Sequence, residues 1–221
     1  MKILQNDYIL KSLELPTMEW KQYFPDTEFA QNILWSIKVE EIPSSKSKEE
    51  TLPKKKINFL PFGNMLRDKE KERQHGLIGV DAKTAKGFAN RHYKSISPTK
   101  QAMIYYPYYM VGKSGILDIN SSRIVIEGTK GDISNLVKHN QIEVMMMFTK
   151  EDMNIHGDDH FFSKEQVLSL IDTARKVKRM TAEDLEFGKN IQLHFSYVYK
   201  TSTALQPEGE LQLIFYQFKL F

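Results

Sequence analysis

Ile191-Gln192-Leu193-His194-Phe195-Ser196-Tyr197-Val198-Tyr199-Lys200 alternates without a break. Ile191, Leu193, Phe195, Tyr197 and Tyr199 share one face. Gln192, His194, Ser196, Val198 and Lys200 share the other. A period of two over ten residues predicts a strand with one apolar face against a core. A loop with Pro207 and Gly209 follows, then an apolar run from Glu210 to Phe218 that reads as its hairpin partner.

Upstream of this hairpin, Ser163-Lys164-Glu165-Gln166 has the form of a capping box. The helix it opens carries Val167, Leu168, Leu170, Ile171, Ala174 and Val177 on its expected buried side. Further upstream the chain reads as strands: Ala102–Tyr106 stopped by Pro107, Tyr108–Val111, Gly115–Leu117, Arg123–Glu127 and Gln141–Phe148. Asp81 is placed to cap a helix over about 82–95, with Ala82, Ala85, Phe88 and Ala89 on one side. Leu34–Val39 alternates as another strand. Strands that return without helices between them predict an α+β fold, mainly antiparallel sheet with helices packed on one side.

Composition narrows the class. The 221 residues contain no cysteine, which excludes disulfides, cysteine nucleophiles and thiolate zinc sites and fits a reducing, cytoplasmic setting. No apolar run approaches the ~18 residues that cross a bilayer. Charge is uneven. Residues 51–100 carry 12 basic against 4 acidic residues, while residues 1–50 carry 6 against 9 and residues 151–221 carry 8 against 11. Glu40 to Lys56 is polar, with two prolines and five lysines, and reads as a linker. The expected division is a divergent segment over 1–56 and a main domain over 57–221.

Local motifs carry little chemistry. Gly112-Lys113-Ser114 ends like a P-loop, but Pro107 stands where its first glycine belongs and has no N–H for phosphate. His156-Gly157-Asp158-Asp159-His160 has metal-ligand chemistry and also the composition of a polar turn before a helix. Tyr105, Tyr106, Tyr108 and Tyr109 could stack on bases, yet aromatic residues at strand spacing belong more often to a core.

Read as a unit, the second half resembles the phosphoenolpyruvate synthase and pyruvate, phosphate dikinase family. Ser121 to Val137, SSRIVIEGTKGDISNLV, is similar to that family's strand, glycine loop and helix. MIYYPYYMVGKSGIL resembles its preceding strand pair, FSKEQVLSLIDTARKVKR its helix, and GELQLIFYQFKLF its terminal L-Q-A-R strand. The resemblance implies an ATP-grasp-like fold over 57–221 that binds a nucleotide, ATP with magnesium, as part of a kinase- or dikinase-type phosphotransferase. It implies Gln217 and Lys219 as nucleotide-binding residues, with Gln217 also a metal ligand. Lysine in place of arginine loses the bidentate fork. The family's metal-binding glutamate aligns with Glu186 by the letters Asp184-Leu185-Glu186-Phe187, or with Ser196 by hairpin position. Gly131-Asp132 is the nearest match to the family's G-L-G-E.

The phosphohistidine and pyruvate-binding domains have no counterpart in these residues, so a second chain that completes the phosphotransferase is one expectation. The alternatives are a non-catalytic interaction protein that keeps the fold, or nucleic-acid binding through the basic 51–100 segment. No membrane partner is expected.

Overall fold

The computed structural model describes residues 3–42 and 76–221. The polar stretch from 43 to 56, the apolar segment 57–63 and the charged run to 75 lie outside the described residues.

Two antiparallel sheets stack face to face, and helices cover both outer surfaces. The larger sheet has six strands: β5 (Tyr109–Ile119), β6 (Ile124–Lys130), β7 (Val144–Phe148), β8 (Met153–Gly157), β9 (Ile191–Thr201) and β10 (Pro207–Leu220), in the order β10-β9-β5-β6-β7-β8. The smaller sheet joins β1 (Lys21–Gln22), β2 (Trp35–Glu41), β3 (Gly76–Val80) and β4 (Gln101–Pro107) in the order β1-β4-β2-β3. Of the helices, α1 is Ile3–Ser12, α2 Ala82–His92, α3 Ser134–His139, α4 Lys164–Met180 and α5 Ala182–Glu186.

The alternation of β9 is realised as read. Ile191, Leu193, Phe195 and Tyr197 join Leu117, Ile126 and Phe215 beneath Leu170, Ala174 and Val177 of α4. That packing forms the outer face of the large sheet. On the inner face Ile116, Val198, Ile214 and Tyr216 meet Ala102, Ile104 and Tyr106 of β4. The far side of the small sheet buries Ile37, Met103 and Tyr105 against all four expected residues of α2. The order of layers is therefore helix, sheet, sheet, helix. The α+β class holds, but helices lie on both sides and a second sheet stands between them. Apolar side chains of both inner faces meet over their overlap, with a row of buried hydroxyls among them, so each sheet is the other's cover.

Local signals act as expected at two helix starts. Asp81 accepts from the backbone N–H of Thr84 at 2.8 Å. Ser163 and Gln166 form a reciprocal capping box. Leu168, expected on the buried side of α4, is 50% exposed instead, because the buried stripe runs through Leu170, Ala174 and Val177. The two short strands expected at Tyr108–Val111 and Gly115–Leu117 are one strand, β5, with a bulge between Val111 and Lys113 on its β9 side. A bulge lets a strand bend and continue. The boundary expected at residue 56 lies outside the described residues. On either side of it β2 is nonetheless hydrogen-bonded between β4 and β3, so the two stretches share one sheet.

Candidate functional site

The register of the large sheet sets the site. Alternation puts Phe218 and Leu220 on the outer face and Gln217 and Lys219 on the inner one. Lys219 pairs with Gln192, and Gln192 with Asp118, which faces Val125. One row across the inner face is therefore Lys219, Gln192, Asp118, Val125, Met147 and Asn154. The next row is Gln217, His194, Ile116, Glu127, Met145 and His156. A third contains Ile214, Ser196, Ser114 and Thr129.

These rows differ in cover. The third is sealed: Ser114, Ser196 and Thr129 are buried, and Ser114 and Ser196 hydroxyls lie 2.8 Å apart. Ser114 also donates to the Gly131 carbonyl at 2.6 Å. In the first two rows Lys219, Gln192, Asp118, Glu127, Val125, Met145 and Met147 are half-buried. A strip of inner face thus remains open beside the place where the small sheet closes over it.

The open strip is electrostatically perturbed. Lys219 Nζ donates to Gln192 Oε1 at 3.5 Å and lies 3.5 Å from His194 Nε2. Burial lowers the pKa of Lys219. Burial, with Lys219 second, brings His194 down to about 3, so its ring is neutral at physiological pH. Two strands away burial raises Asp118, and the Arg123 guanidinium partly offsets this. Glu127 is raised by burial first and by the Asp118 charge second. The two carboxylates are diagonal neighbours on adjacent strands, within reach of one cation.

The expected site residues divide. Gln217 and Lys219 stand on the same face, with Gln217 5% exposed at the covered end and Lys219 toward the open end. Glu186 is an exposed residue on α5, whose Leu185 packs into the outer core. The Asp184–Phe187 letters fall on that helix and its C-cap, while the strand paired with β10 is β9. The residue opposite Gln217 is His194, and Ser196 is opposite Ile214. Neither Glu186 nor Ser196 is Gln217's cross-strand partner.

Asp118, Glu127, Gln192 and His194 enter the site without having been singled out. Their signal was the polar half of each alternating strand, which becomes a site only once register aligns the strands. The 156–160 turn does not gather ligands: His160 approaches Asp159 at 3.2 Å, both exposed, and His156 lies on β8. Among the described residues no group of three or more histidine, aspartate or glutamate side chains is placed to hold a metal. Tyr105, Tyr106 and Tyr109 are core residues. The Gly131-Asp132 turn lies toward the other end of β5, where it lines a cavity of about 350 Å³ with Tyr108, Val111 and Thr201.

Compared with known proteins, the chain matches no family model and no curated protein. No helix among the described residues is long and apolar enough to cross a membrane.

Proposed function

We propose that the chain binds a nucleotide with a divalent cation, magnesium with ATP, on the open strip of the inner sheet face. The observation that carries this reading is the arrangement of half-buried Lys219, Gln192, Asp118 and Glu127 on one sheet face, with Gln217 and His194 buried beside them. A lysine relieved of part of its hydration is a strong point charge for a phosphate. Two carboxylates would repel that phosphate unless a cation stood between them. Magnesium is commonly held by one or two carboxylates, with phosphate oxygens and water filling its shell. Asp118 and Glu127, diagonal neighbours on β5 and β6, fit that donor chemistry better than Glu186 on α5 does, and Gln217, three strands from Glu127, is too far to share their cation. The resemblance to the phosphoenolpyruvate synthase family supports the same ligand and shares Lys219 with this arrangement. On this reading the chain is a nucleotide-binding unit of a phosphotransferase.

Substitution of Lys219 tests it. Lys219→Ala should weaken Mg-ATP binding by tenfold or more in a calorimetric titration, since a charge-assisted contact contributes roughly 1.5–3 kcal/mol. Lys219→Arg should retain or improve it. Equal affinities for the unaltered protein and the alanine variant would remove the phosphate role and favour a non-catalytic interaction protein.

A further inference from the structure

The open strip changes character along its length. Lys219 and Gln192 occupy the β10–β9 end, with His194 and Gln217 buried beside them, and Asp118 and Glu127 the β5–β6 middle. Beyond them come Val125, Met145 and Met147. These three are half-buried, whereas Ile126 and Met146 on the opposite face are at most 2% exposed. None of the three belongs to the core between the sheets. Asn154 pairs with Met147 and His156 with Met145, so an amide and an imidazole stand at the outer margin of this apolar patch.

We propose that the patch is a platform for the nucleobase, with Val125, Met145 and Met147 under the ring and Asn154 and His156 at its edge. This rests on the nucleotide reading above and deepens it: the ligand is a nucleoside triphosphate and not a bare polyphosphate, and it lies across the strands. At about 4.8 Å per strand, Val125 stands three strands or about 14 Å from Lys219, and Met147 four strands or about 19 Å. An extended nucleoside triphosphate covers that span. Its phosphates meet the lysine, the cation sits over the carboxylates, and the base reaches the thioethers. Methionine suits such a surface because its polarizable sulfur makes favourable contacts with aromatic rings and its flexible chain adapts to a flat ligand. The polar margin offers both donors and an acceptor to a base edge.

The test compares Mg-ATP with magnesium tripolyphosphate, which lacks the base. The unaltered protein should bind Mg-ATP at least tenfold more tightly. A Met145→Ala, Met147→Ala double variant should lose most of that advantage and keep its tripolyphosphate affinity. Equal affinities of the unaltered protein for the two ligands would overturn the platform while leaving the phosphate site standing. An Mg-ATP affinity unchanged in the variant would do the same. Failure of both ligands to bind would overturn the nucleotide reading itself. Methionine-methyl NMR of the unaltered protein gives a second readout that does not depend on how the variant folds. Mg-ATP should shift Met145 and Met147 more than Met146, and resonances of Met145 and Met147 that stay in place under saturating Mg-ATP would overturn the platform.

Discussion

His194 lies buried beside Lys219 at the β10–β9 end of the open strip. His194 is fully buried, and its pKa falls from 6.5 to about 3 through burial first and Lys219 second. Below pH 6.5 the unfolded chain takes up a proton at this position that the folded chain refuses. Folding stability should therefore fall as pH drops from 6.5 toward 3, by about 3 kcal/mol at pH 4 from this one ring. Urea unfolding from pH 7 to pH 4 should show this slope, and His194→Gln should flatten it. An unchanged slope in the variant would mean that other groups govern acid unfolding. Asp118 and Glu127 act in the opposite sense. Their folded pKa values are raised, so the unfolded chain loses these protons first as pH climbs above 3.8 and 4.5. The native state is then penalised at neutral pH, and acidification below that range removes the penalty. Glu127→Gln should consequently raise the melting temperature in magnesium-free buffer at pH 7. It should also shrink the further rise that magnesium brings to the unaltered protein. A variant that melts lower, with the magnesium effect intact, would take Glu127 out of the cation site.

Strands and helices differ in how openly the chain announces them. The capping box at Ser163 and Gln166 and the cap at Asp81 are local chemistry, read within four residues, and both are present. The alternation of β9 is equally local. The contribution of β8 was not legible: Met153–Gly157 is exposed throughout and contains glycine, so it has no buried face to impose a pattern. The merging of two expected strands into β5 depends on a bulge that partner strands impose. Glycines inside strands mark tight contacts that the alternation hides. A Cβ at Gly128 would lie 2.7 Å from the rings of both Phe161 and Phe162, which are buried between the large sheet and α4. Gly128→Ala should cost about 1–3 kcal/mol by overpacking, measured as a lower urea midpoint with an unchanged slope. A neutral substitution would mean that the Phe161–Phe162 corner yields more readily than a close-packed core does.

At the scale of the molecule, the two sheets make the site by covering each other incompletely. Polar residues of β5, β6, β9 and β10 that lie under the small sheet are sealed among serines and tyrosines, while those beyond its edge face outward. The class of fold was readable, because long antiparallel strands and a capped helix leave few alternatives. The second sheet was not. Its central strand β2 and its neighbour β3 lie on either side of residues 43–75, and pairings across such a separation have no local signature. The site was half legible for the same reason. Gln217 and Lys219 lie two apart on one strand, so their shared face follows from alternation alone. Asp118, Glu127, Gln192 and His194 join them only through register. Glu186 shows the converse: its letters suggest a strand, and the chain places them on a short helix.

Melting temperature reads directly whether this face binds a nucleotide with a cation. ATP at one hundred times its dissociation constant stabilises the folded state by about 2.7 kcal/mol. For a chain of this size that raises the melting temperature by roughly 5–10 °C. A rise of this kind with ATP, larger with magnesium than without, is the predicted result. A melting temperature unmoved by millimolar ATP, with and without magnesium, would contradict it.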